Sequence, residues 1–285
     1  MSLKDIVVVL EAGAAGARRQ TAAVTLAATH GAHLIGLSII EPLDLSGFFS
    51  PAVSGYVAVD AMQELEDRHR AAATAAAKEA ETAFRADCGR AGISYEWRLA
   101  EGEAAETATL NARYADLAIA GQIDPENPPR GGFGRLPEQL ALASGRPVLL
   151  VPYAGAVETI GKRVLVAWNR MRESTRAVND ALPLLAKAEK VTVLSINPKR
   201  GEDAGDVPGA DLALHLARHG VKAEAAYTVA EDIDVGSALL SRASDIGADL
   251  IVMGCYGHSR TRELILGGAT RQVLQHMTVP VLMSH

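Results

Sequence analysis

One stretch of the chain has the residue types and spacing to hold an anion. Gly254-Cys255-Tyr256-Gly257-His258 is followed, nine residues after Gly257, by Gly267-Gly268-Ala269-Thr270. It comes after the aliphatic run Leu250–Met253 and before a helical pattern opening near Gly268 to Thr270, so it reads as a strand-to-helix turn. Glycines in such a turn let backbone N–H groups approach a ligand with no Cβ in the way. The first-turn N–H groups and the positive dipole end of the helix point to the same place. A phosphate is the guest that suits it, and His258 stands where it can touch a phosphate or face water. The same glycines also serve as simple turn formers. Their spacing is neither the dinucleotide fingerprint nor the P-loop, since no Lys follows them.

Other chemistry is sparse. Cys255 lies in the same turn, but a lone Cys with no identified base is expected to be a small packing residue. Asp211, His215 and His219 share a helix face without the His-Glu-x-x-His pattern of a zinc site, and read as a solvated face. There is no Gly-x-Ser-x-Gly elbow, no Cys-x-x-Cys and no assignable acid/base pair. Binding is therefore expected rather than turnover.

The elements that must position this turn follow from an internal repeat. Ala115-Asp116-Leu117-Ala118-Ile119-Ala120-Gly121 matches Ala248-Asp249-Leu250-Ile251-Val252-Met253-Gly254 at an offset of 133, which persists to Pro147-Val148-Leu149 against Pro280-Val281-Leu282. Near the starts, Lys4-Asp5-Ile6-Val7 matches Lys162-Arg163-Val164-Leu165 at an offset of 158, so the second unit is shorter after its second strand. Each unit alternates short aliphatic runs with helical stretches. The fold expected is α/β, with two tandem Rossmann-like units, each a five-stranded parallel sheet with helices on both faces. The boundary falls in the small-residue junction Tyr153 to Gly161, giving units 1–154 and 155–285. Gly201 to Gly209 reads as a mobile loop, and Phe48, Phe49 and Tyr56 as a cover over a sheet edge or the other half.

This spacing, in a tandem five-strand α/β unit ending in Pro-Val-Leu, resembles the universal stress protein family, once per half and over nearly the whole chain. The family's ATP-binding branch carries Gly-x2-Gly-x9-Gly-Ser/Thr. By that resemblance Gly254, Gly257 and Gly267 are the three glycines, Gly268 stands at the Ser/Thr position, and Thr270 offers a hydroxyl one turn on. The resemblance further implies that Asn169 lies near the nucleoside, that the backbone around Ile196 faces adenine, and that Ala167, Met253, His258 and Ala269 complete the site. The implied ligand is ATP, with ADP or AMP as alternatives and Mg accompanying the nucleotide. In the first half Asp124 replaces the middle glycine and Arg135 the small residue, so that half is expected to be degenerate. The family also pairs its terminal strands across a two-fold axis, which implies a pseudo-dimer within this chain through Pro147 to Val151 and Pro280 to Met283, with a homodimer of chains beyond it.

The composition excludes several classes. With 28 Lys and Arg against 34 Asp and Glu the net charge is −6, and no basic run supplies the field that nonspecific nucleic-acid binding draws on. The longest apolar runs are strand-length, so no membrane span is expected. Two cysteines, and a start at Met1-Ser2-Leu3-Lys4-Asp5 unlike a signal peptide, lead to an expected cytoplasmic location. A stress-response regulator fits these limits. A protein-interaction module without nucleotide is the alternative.

Overall fold

The computed structural model describes residues 2–43, 59–129, 131–198, 207–230, 232–255 and 267–285. The first half runs β1 (Asp5–Val9), α1 (Ala14–His30), β2 (His33–Ile40), α2 (Val59–Ala91), β3 (Tyr95–Glu101), α3 (Ala104–Ala112), β4 (Leu117–Gly121), α4 (Leu136–Ala143) and β5 (Val148–Val151). The second runs β6 (Arg163–Ala167), α5 (Arg172–Leu185), β7 (Lys190–Ile196), α6 (Ala210–Arg218), β8 (Ala223–Thr228), α7 (Val235–Asp245), β9 (Leu250–Gly254), α8 (Gly268–His276) and β10 (Val281–Ser284). The shortening of the second half is the replacement of the 33-residue α2 by the 9-residue α6. Most of the segment read as a mobile loop (201–206), and Phe48, Phe49 and Tyr56, lie outside the described residues.

The strands form one ten-stranded sheet in the order β3-β2-β1-β4-β5-β10-β9-β6-β7-β8. Every pairing is parallel except β5 with β10, where Leu149 faces Leu282, Leu150 faces Val281 and Val148 faces Met283. This is the terminal-strand pairing that the sequence leads one to expect. Because side chains alternate across a strand, the continuous aliphatic runs feed two cores. Ile6, Val8, Leu149, Val166, Val252 and Leu282 pack on the face covered by α1, α2, α5 and α6. Val7, Val9, Leu150, Leu165, Ile251 and Val281 pack on the face covered by α3, α4, α7 and α8. Both cores run unbroken across the β5–β10 joint.

The repeated Ala-Asp-Leu motif has an architectural role at the amino rim of the sheet. The Asp249 carboxylate accepts the backbone N–H groups of Gly161 (3.1 Å), Lys162 (3.1 Å) and Arg163 (2.9 Å) and the Thr159 hydroxyl (2.6 Å). Asp116 accepts those of Lys4 (2.7 Å) and Asp5 (3.2 Å). Each aspartate thus fixes the start of the strand next to its own. Among the described residues no helix is long and apolar enough to cross a membrane.

A proline in β10, flanked on both sides by paired strands, removes a ladder donor. Leu282→Pro is expected to cost about 3 kcal/mol or more and to lower the urea midpoint of the whole chain. An unchanged midpoint would contradict the joint as a shared core.

Candidate functional site

The second half brings its strand ends and one helix start to a single rim. Ala167 and Ile196, the last residues of β6 and β7, are half-buried and pack with buried Met253 against the core on the α7/α8 face. On that face α8 opens at Gly268. Gly267 is its N-cap, and among the described residues no side chain caps the helix there. The first helical donor is Arg271 N–H, which bonds Gly267 O at 3.0 Å, so the N–H groups of Gly268, Ala269 and Thr270 have no acceptor within the helix. Gly268 is exposed and a Cβ built on it meets nothing within 4 Å, whereas Thr270 is buried. Gly257 and His258 lie outside the described residues.

Asn169 is exposed just past β6. Its Oδ1 accepts the Met171 N–H at 3.1 Å, closing a turn in which Arg170 takes the left-handed φ of 62°. After β7 the Asn197 side chain accepts Ala230 N–H at 2.7 Å and donates to Ala230 O at 3.0 Å, joining two rim loops. The lone polar residues past the strand ends were the only hint of this in the sequence.

Gly254 and Cys255 have packing roles that the spacing alone does not reveal. A Cβ on Gly254 would overlap the Glu173–Ser174 peptide at the start of α5, on the face opposite α8, so its glycine identity answers to a strand–helix contact. Cys255 donates its N–H to Ser284 O at 3.0 Å and its thiol faces the same oxygen at 3.5 Å. Burial pushes that thiol up to about 12, aided by the negative charge of Glu173. It is a packing residue, not a nucleophile at neutral pH. His215 and His219 stand with ring centroids 4.7 Å apart, and among the described residues no group of three His, Cys, Asp or Glu could hold a metal ion.

The equivalent rim of the first half is filled from within. Arg19, from α1, lies against Gly121, donating to Val9 O at 2.9 Å and to Glu11 at 2.6 Å. Asp124, which stands at the middle-glycine position, closes its own turn by accepting Glu126 N–H at 2.9 Å, and that bond holds its carboxyl below the usual carboxylate range. The Glu41 carboxylate accepts Ala104 N–H at 2.7 Å, at the start of α3, and Gly132 N–H at 2.9 Å, in the 3-10 turn leading into α4. Glu103 caps α3 through Glu106 N–H at 2.6 Å and lies 3.4 Å from Arg135. Gly131 has φ +66°, and a Cβ on it would stand 2.6 Å from Glu41 Oε2; one on Gly132 would meet both carboxylates. The Glu41 carboxylate therefore takes one backbone donor of this glycine-rich turn, and the Glu103 carboxylate lies beside it. The sequence shows the paired glycines but not their occupants.

Glu41→Ala leaves the Ala104 and Gly132 N–H groups without their acceptor and is expected to cost about 1–3 kcal/mol in chemical denaturation, with Glu41→Gln costing less. A neutral result would remove Glu41 from this role. The two thiols predict a pH effect. Cys88 is raised to about 11 and Cys255 to about 12, both first by burial, from an ordinary value of 9.0. Above pH 9 the unfolded chain loses protons that the native state keeps, so stability is full below that pH and falls as pH rises toward 11–12. At pH 8 a disulfide reagent is expected to label neither thiol in the native state and both in denaturant. Rapid native labelling of Cys255 would contradict its burial.

Comparison with known proteins bears on the family and the fold. Residues 161–285 match the model of the Universal stress protein family. The chain is 28% identical over 156 residues to Universal stress protein Slr1230 of Synechocystis sp., covering 54% of this chain and 52% of that one, so it spans about half the length of this curated relative. The crystal structure of a universal stress protein from Archaeoglobus fulgidus superposes with a TM-score of 0.74 at 16% identity, covering 98% of this chain and 97% of that one. A functionally unknown protein from Pseudomonas aeruginosa PAO1 superposes with a TM-score of 0.57 at 16% identity, over 99% and 92% of the two chains. At such identities the two structures speak for the fold, and the family match resides in the second half: residues 161–285 are similar to the universal stress protein family.

Proposed function

We propose that the second half binds an adenine nucleotide, ATP first, and that the chain acts as a cytoplasmic stress-response regulator built of units 1–154 and 155–285. The observation that carries this reading is the start of α8. Among the described residues no side chain caps its first-turn N–H groups, which follow the Gly254, Gly257, Gly267 spacing at the carboxyl ends of parallel strands. Gly267, Gly268, Ala269 and Thr270 would receive the phosphates together with Gly254, Gly257 and His258. Ala167, Asn169, Ile196 and Met253 would border the nucleoside, and Mg would accompany the nucleotide. ADP and AMP fit the same donors. Two chains would associate beyond the pairing inside each one.

A second reading, an interaction module that no longer binds nucleotide, is favoured by one residue. Gly268 lacks the hydroxyl that the family motif supplies. A slow ATP hydrolase would need an acid/base pair that the sequence does not offer.

Denaturing the purified protein and identifying any released nucleotide tests the choice, together with calorimetric titration of MgATP. Gly257→Asp is expected to abolish binding while leaving the fold intact. Gly268→Ser, whose Cβ enters open space, is expected to tighten it by about 1 kcal/mol, one hydrogen bond. Absence of both released nucleotide and a titration signal would favour the interaction module.

A further inference from the structure

We propose that Gln122, a residue of the first half, is a positioning residue for α8 and thereby sets the anion-facing end of that helix in the second half; this rests on the nucleotide reading above. Gln122 follows β4 and is buried, only 7% exposed. Its amide nitrogen donates to Leu274 O at 3.0 Å and Gln275 O at 3.2 Å, in the last turn of α8, and its amide oxygen accepts Tyr153 N–H at 3.2 Å. The last four carbonyls of a helix have no partner within it. A side chain from the other half supplies one for two of them.

The antiparallel joint explains why this contact is possible. It turns the carboxyl rim of the first half toward the amino rim of the second, and α8 descends from its own carboxyl rim to end there. The internal repeat shows that the contact runs one way. Gln122 corresponds to Cys255, and both donate their backbone N–H across the neighbouring strand end, to Val151 O at 2.8 Å and to Ser284 O at 3.0 Å. Cys255, however, turns its thiol to Ser284 O, and the last turn of α4 closes with Ser144 N–H on Leu140 O. A thiol has no amide to send across.

Packing holds α8 to its own half through buried Val273 and Met277 but leaves its side facing the first half open. Beside Gln122, between the halves, lies a cavity of about 260 Å³ bordered by Ile123, Pro137, Arg271 and Leu274. Within the second half α8 is held at its middle, where Gln272 donates to Ser237 Oγ at 2.9 Å and Gly236 lies against Gln272. Gln122 is thus a second fixed point near the far end of a helix about 13 Å long. A short helix held at two points keeps its axis, and with it the direction of its first-turn N–H groups. Without Gln122 the last turn keeps its packing at Val273 and Met277 but loses the contact that ties it to the first half.

The test is Gln122→Met, close in size but without donors, in the full-length protein. Without ligand, amide exchange over residues 271–276 is expected to quicken about tenfold, as two net hydrogen bonds imply, while α7 is unchanged. MgATP is expected to bind three- to tenfold more weakly. In Gln122→Glu the carboxylate faces two carbonyl oxygens at pH 8 and regains an O–H donor when protonated. Its affinity relative to the parent protein should therefore recover toward pH 5. Unchanged α8 exchange in Gln122→Met, unchanged MgATP affinity despite faster exchange, or a pH-independent ratio for Gln122→Glu would each overturn the proposal. If the parent protein binds no MgATP, the nucleotide reading fails with it, and the exchange result alone decides whether Gln122 seats α8.

Discussion

The antiparallel contact between β5 and β10 is the constraint on which the rest of the structure depends. Each of these strands is four residues long, and alone each would end a five-stranded sheet with unpaired backbone groups beside aliphatic side chains. Paired, they leave β3 and β8 as the edges of a single sheet. Leu149 against Leu282 continues one core, and their neighbours continue the other. The same contact points the carboxyl rims of the two halves in opposite directions. Each candidate anion turn therefore sits on its own side of the molecule, next to the amino ends of the other half's strands.

The two halves differ beside their glycine-rich turns, although the starts of α4 and α8, which correspond at the offset of 133, both lack a cap from their own N-cap residue. In the first, Glu41 and Glu103 bring carboxylates to Gly131, Gly132 and the start of α3. In the second, no side chain among the described residues caps the start of α8. A helix start in need of acceptors can obtain them from the chain or from a bound anion. In the first half Glu41 is such an acceptor for the Gly132 and Ala104 N–H groups, and it keeps a phosphate from them more directly than repulsion by Asp124 does, since Asp124 is occupied with its own turn.

Much of the fold was legible because period-two burial on both faces writes each strand as an aliphatic run, and because the offset of 133 between Asp116 and Asp249 marks the repeat. The start of α8 was legible for a similar reason, since Gly267 and Gly268 break the pattern just before it. The rest depends on side chains that meet across the chain. Glu41 reaches Gly132 over 91 positions and Gln122 reaches Leu274 over 152. No local period encodes such contacts. Gly254 teaches a related point: a glycine in a motif was read through the ligand, yet the crowding at Glu173 and Ser174 demands it from the opposite face.

The β5–β10 joint also governs how the two rims can diverge. If two identical chains met through these strands, any residue that closed one rim would close both, and any amide sent across the joint would be answered by its twin. Covalent fusion lifts that symmetry. Glu41 can fill the turn before α4, and Gln122 can support α8 while Cys255 returns nothing. One polypeptide thereby carries two non-equivalent partners at a fixed one-to-one ratio, a division of labour that a self-assembling pair of identical chains could not encode.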